Sequence, residues 1–123
     1  MDRITFFEFT TSEPAKENAF FTEVFGWQIS QWGEQQYWLA TTGPADKPGI
    51  DGAISPPSMP DAPRVVTTIS VDNLDDTLER ATGAGAKIMV PKAEVPGFGW
   101  LAYLVSPTGI PFGVIQQIPG ATM

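Results

Sequence analysis

Apolar and polar positions alternate in short bursts along this chain, and only two stretches switch to helical spacing. "RITFFEFTT" at residues 3–11 puts Ile4, Phe6 and Glu8 on one side of a strand and Thr5, Phe7 and Phe9 on the other. In "SEPAKENAFFTEVFG" the period becomes that of a helix of about three turns. Ser12 is placed to cap it, Pro14 suits its first turn, Phe21, Val24 and Phe25 share a face, and Gly26 can take the left-handed stop. "WQISQW" and "QQYWLATT", broken at Gly33 and Glu34, predict a hairpin, and "GIDGAIS" predicts a fourth strand. Four prolines within residues 56–63, "PPSMPDAP", block helix and ladder alike and predict a stiff connection. The order then starts again. "RVVTTISVD" is a β-branched strand, and "DNLDDTLERATGAGA" is a helix capped by Asp72, with Asp75 three residues on and Leu74, Leu78 and Ala81 on one face. Gly83 and Gly85 end it, and "KIMVP", "GWLAYLVS" and "IPFGVIQQ" are three further strands.

The two halves keep register: Phe6 and Val66 are 60 residues apart, and the helix-ending Gly26 and Gly85 are 59 apart. "GIDGAI" matches "GIPFGVI" with one extra residue, which aligns Gly52 with Gly113. A mid-strand glycine weakens a strand and marks a bulge or a close approach, so the pair asks for an explanation. The expected fold is α+β: two tandem βαβββ modules, about 1–55 and 64–118, in a single domain over 1–123. Four strands and one helix bury only one face of a sheet, so two such modules predict a curved mixed sheet enclosing a cleft.

Composition narrows the chemistry. No Cys and no His removes thiolate sites, cysteine nucleophiles, histidine-based triads and the commonest metal ligand and general base. Fourteen acidic residues against seven basic give a net charge of -7, which argues against nucleic acid and anionic lipid as partners. The longest purely apolar run, residues 100–105, is far short of the ~20 residues a membrane span needs, and the N-terminus shows no secretion signal, so a cytoplasmic protein is expected. "ATGAGAK" lacks the phosphate-loop spacing and reads as helix termination, while Asp46 and Asp51 lack the dense spacing of a calcium loop.

Glu8 lies two residues after Phe6 and shares its face, so among Phe and Val it is a candidate general base or a holder of a ligand amine; a strand-end Glu paired with Arg3 or Arg64 is the plainer alternative. Thr68 matches it in the second half. Trp32, Tyr37, Trp38, Trp100 and Tyr103 sit on strands that would wall a cleft, where polar-tipped aromatics suit flat ligands, although such residues serve equally as core or dimer interface.

The repeated unit, opening with "FFEFTTSEPAKENAFFTEVFGW" and closing with "GWLAYLVSPTGIPFGVIQ", resembles the vicinal oxygen chelate superfamily, the group of glyoxalases, bleomycin-resistance proteins and extradiol dioxygenases. "FFTEVFGW", "VVTTISVDNLDDTLERATGAGAKI" and the turn "SPTG" carry the likeness. Metal enzymes of that group hold a divalent ion with side chains from the first and fourth strands of each module. The resemblance places those positions at Phe6, at Gly52 or its neighbour Ala53, at Val66 and at Gly113, none of which donates a side-chain lone pair. The expected function is therefore binding of a planar or aromatic small molecule in the inter-module cleft, with no metal and no other cofactor. Phe6, Glu8, Tyr37, Gly52, Val66, Thr68, Trp100, Tyr103 and Gly113 would line that cleft. The alternative is a cofactor-independent isomerase or lyase with Glu8 as its catalytic base, ahead of a metal-dependent glyoxalase or dioxygenase; a purely structural or partner-binding role is also open. The resemblance implies a homodimer.

Overall fold

The computed structural model describes residues 2–119, and these form eight strands and two helices. The first module contains β1 (Arg3–Thr10), α1 (Pro14–Phe25), β2 (Gln28–Gln31), β3 (Trp38–Thr41) and β4 (Asp51–Ser55). The second contains β5 (Val65–Ser70), α2 (Leu74–Gly83), β6 (Lys87–Val95), β7 (Gly99–Val105) and β8 (Pro111–Gln117). Both modules follow βαβββ. Within the first the strands lie in the order β2-β3-β4-β1, and within the second β6-β7-β8-β5, so the connectivity repeats strand for strand. In each, the first and last strands pair parallel and the remaining neighbours antiparallel. Contacts divide the chain into two compact units, Phe6–Val66 and the remainder, so the opening residues of β1 belong with the second unit.

In the first module α1 packs on the odd-numbered side of β1. Phe9 lies 5.5 Å from Phe21, Phe21 stacks on Trp27 at 4.6 Å with their planes 8° apart, and Phe7 lies 5.6 Å from Trp27. No residue of α1 is fully buried, so this aromatic cluster, with Ile54 beneath it, supplies the helix's apolar contact. The stop is as expected, with Gly26 at φ 72° and its N–H returned to the Thr22 carbonyl. The start is different: the capping position is Glu13, not Ser12, and Glu13 N donates to Thr11 Oγ1 at 3.1 Å.

The second module has a conventional core of Val71, Leu74, Ala102, Leu104 and Val114, with Ile69, Leu78, Ala81, Trp100 and Phe112 packed against it. Its helix is capped by Asn73 rather than Asp72. Asn73 Oδ1 accepts from Asp76 N at 2.9 Å, and Leu74 N, in a fully buried residue, donates to Gln116 Oε1 at 2.8 Å. A strand side chain thus satisfies one of the orphan donors of the first turn. Gln116→Leu is expected to cost about 1–2 kcal/mol by leaving Leu74 N unmet in the core, against about 1 kcal/mol for Asn73→Ala, and urea melts of the two variants check the order.

β6 extends beyond the "KIMVP" expected for it, because its ladder with β7 slips twice, between Ile88 and Val90 and between Val90 and Ala93, and so accommodates Pro91 at the sheet edge. No described helix is long and apolar enough to cross a membrane, which does not bear on membrane-crossing strands.

Candidate functional site

Strand register decides which side chains share a face. In the first module β1 and β4 pair Phe6 with Asp51, Phe7 with Gly52 and Glu8 with Ala53, and β3 places Leu39 beside Ala53. Because neighbours in register point the same way, Phe6, Glu8, Ala53 and Leu39 lie on the side away from α1, and Phe7 and Gly52 lie under it. Tyr37, two residues before Leu39, falls on the Glu8 side, and its Oη donates to Glu8 Oε2 at 3.2 Å. Its ring lies 5.7 Å from that of Trp32, across the turn that Trp32 N closes on the Tyr37 carbonyl at 2.8 Å. Phe6 is buried, while Glu8, Tyr37 and Trp32 are half-buried. Glu8, Tyr37 and Trp32 therefore gather beside Phe6, Ala53 and Leu39 on a sheet face that also carries Asp51. Trp38, paired with Ile54, points to the helix side instead.

Gly52 does not belong with this group. A Cβ there would strike the Phe7 carbonyl oxygen and the Phe7 ring, so glycine is present because β1 and its aromatic residue press against that backbone. Asp51 is likewise committed: its Oδ1 accepts from Thr42 N at 2.9 Å and from Thr42 Oγ1 at 3.3 Å, closing the loop before β4.

In the second module Thr68 pairs with Gly113, and Gly113 with Tyr103, giving a row across β5, β8 and β7 on the face away from α2. Thr68 is buried, at 2% exposure; Val66, two residues earlier on the same face, is half-buried. Gly113 does not open a space. A Cβ there would meet Thr68 Oγ1 at 2.8 Å and Tyr103 Cε1 at 3.2 Å, so the glycine makes room for its neighbours' side chains rather than for a ligand. Trp100 sits on the opposite face, against the α2 core, with Lys92 Nζ 5.8 Å from its ring.

The offset of the two glycines follows from the same registers. Glu8 corresponds to Thr68, Glu8 pairs with Ala53 and Thr68 with Gly113, so the counterpart of Gly113 is Ala53, not Gly52. Ala53 is the residue of this face that composition and motif leave unmarked. Its only signal is the extra residue in "GIPFGVI", which shifts the alignment by one.

No protein-family model matches the chain. Two curated proteins, from Mycobacterium bovis and Mycobacterium tuberculosis and both described as "Putative glyoxylase CFP32", are 30% identical to it over 116 residues, 91% of this chain and 43% of theirs. The chain therefore spans less than half the length of these relatives. Among solved structures, a glyoxalase/bleomycin resistance protein/dioxygenase superfamily member from Vibrio splendidus superposes with a TM-score of 0.69 at 15% identity, over 96% of this chain and 100% of that one. Methylmalonyl-CoA epimerase from Streptomyces coelicolor superposes with a TM-score of 0.67 at 12% identity, over 100% and 99%. The chain has the vicinal oxygen chelate fold.

In that fold, with the register corrected, the coordinating positions implied by the resemblance are Phe6, Ala53, Val66 and Gly113. Hydrocarbon or hydrogen occupies each of them, and main-chain carbonyls within ladders are already engaged. Among the described residues no three of His, Cys, Asp and Glu are grouped to hold a metal ion. A divalent ion does not fit the residues that this chain offers at those positions.

Proposed function

We propose that the chain is a metal-independent binding domain for a planar or aromatic small molecule. The ligand takes the first module's sheet face where Phe6, Glu8 and Tyr37 lie. The observation that carries this reading is that Phe6, Ala53, Val66 and Gly113 stand at the coordinating positions implied by the resemblance, while Glu8 and Tyr37 keep a hydrogen-bonded polar pair on the face of Phe6 and Ala53. A flat apolar surface with a few placed polar groups is the usual make-up of a small-molecule site. Tryptophan fluorescence and melting temperature against a library of aromatic metabolites and antibiotics test it. At least one compound should raise stability by ~3 kcal/mol at about a hundredfold excess over its dissociation constant, and a library with no stabilising member would count against the reading.

A second reading is supported by the same hydrogen bond. A carboxylate beside a phenol can exchange a proton at carbon next to a carbonyl, and one structural neighbour is an epimerase. Under it, Glu8→Gln abolishes turnover of a bound carbonyl compound and spares its binding, whereas unchanged turnover removes Glu8 from the chemistry. A cytoplasmic homodimer completes the proposal; absence of Cys suits that compartment, and light scattering showing a monomer would remove the dimer.

A further inference from the structure

We infer that α1 is the face by which two copies of this chain associate, the two helices lying antiparallel across a twofold axis beside Phe20. The inference rests on the homodimer proposed above and adds to it the surface that forms it. The outward side of α1 leaves its apolar groups in water: Phe20 is 50% exposed, Val24 54% and Phe25 60%, and no residue of the helix is fully buried. Helical spacing sets Lys16, Phe20, Glu23 and Val24 along one stripe, and all four are exposed. The Phe20 and Phe25 rings lie 6.4 Å apart and continue into the stack of Phe21 on Trp27, so the exposed part is the edge of an aromatic cluster already held in place. Together Phe20, Val24 and Phe25 leave about 300 Å² of apolar surface uncovered, within the range that on a single chain is often an interaction site.

The charges along the stripe select a second copy as the occupant. Lys16 is the one base of α1 and stands in its first turn; Glu23 stands in its last turn, seven residues on. When a second α1 is turned end for end beside Phe20, Lys16 of each copy meets Glu23 of the other, and the two Phe20 rings meet across the axis. Glu17, the remaining acid within the helix, is then level with Thr22, and Glu13 with Gly26, so neither faces a like charge. The pair that Lys16 makes with Glu13, at 3.4 Å and well exposed, is weak and yields readily. The edge strand β6 also exposes Ile88, Met89 and Val90, but Lys87, Pro91 and Lys92 guard it against pairing. A helix of 12 residues, roughly 18 Å long, covers less than the ~800 Å² per partner of a stable dimer, so a dissociation constant of about 10–100 μM is expected.

Exchange of charge tests this, read by sedimentation equilibrium over a concentration series spanning that range. Lys16→Glu and Glu23→Lys should each weaken dimerisation about tenfold or more, because each sets like charges face to face twice per dimer. Glu23→Lys also makes an acidic chain less negative, which by itself would favour association, so its weakening is specific to the contact. Both reversals place on the helix ends the sign of charge those ends favour, and their melting temperatures should match the parent's. Mixed in equal amounts, the two single variants should form a heterodimer about as tight as the parent dimer, and the double variant should dimerise alone. Lys16 and Glu23 are two turns apart, so no contact within one helix produces that recovery. If both single variants dimerise as the parent does, the inference is overturned and a dimer through another face stands. If the mixture stays monomeric while the parent dimerises, the antiparallel pairing is overturned. A parent that is monomeric throughout removes the homodimer and the inference together.

Discussion

Gly99→Ala is expected to lower the melting temperature by roughly 10 °C or more, or to prevent folding, a loss of about 3 kcal/mol. Two costs coincide there. The residue has φ 151°, a conformation L side chains rarely adopt, and a Cβ would be driven into the Gln116 carbonyl oxygen on β8. The backbone cannot yield cheaply, because Gly99 pairs with Gln117 and closes the β7–β8 ladder just beyond Trp100 and Gln116. Gln116 in turn holds Leu74 N, so displacing it also disturbs the start of α2. Gly97→Ala is the control. Gly97 also has positive φ, 85°, but nothing within 4 Å of its Cβ direction, and it should cost only about 1–2 kcal/mol. Equal melting temperatures for the two variants would contradict the β7–β8 register.

Gly52→Ala should cost about 2–3 kcal/mol, for a different reason. Its backbone is unstrained, and the whole penalty is the close approach of Phe7, whose ring cannot move aside freely with Phe9 at 4.6 Å and Trp27 at 5.6 Å. The displaced ring should also alter Trp27 emission, which a uniform loss of stability would not do. Gly113→Ala should be milder, because the Thr68 hydroxyl and the edge of the Tyr103 ring are flexible side-chain atoms at 2.8 and 3.2 Å. If Gly52→Ala were as stable as the parent, the β1–β4 register would be off by one and Gly52 would return to the Glu8 face.

What could be read from the sequence was local. Alternation assigned Phe6 and Glu8 to one side of β1, Gly26 stopped α1, and the repeated order of elements implied the fold. Pairing between distant strands could not be read. Gly52 and Gly113 look like twins because "GIDGAI" and "GIPFGVI" share letters, yet one sits beneath Phe7 and the other beside Tyr103. The chemistry of Trp100 alone suggests a ligand face. Its true side follows from β7's pairing of Trp100 with Gln116, which no local pattern announces. A slip of one residue exchanges the faces of a strand, so the least legible quantity was the one on which the site depends. Glu8 and Tyr37 fall on one face because both lie at ordinary alternating positions, two after Phe6 and two before Leu39, but the bond between them has no signal in the sequence.

Binding without a metal is tested by one pair of melts. The melting-temperature rise given by a stabilising aromatic compound is measured in excess chelator and again with an added divalent cation. The same rise is expected in both, since the side chains of Phe6, Ala53, Val66 and Gly113 offer an ion nothing to coordinate. A rise lost in chelator and restored by the cation would contradict it.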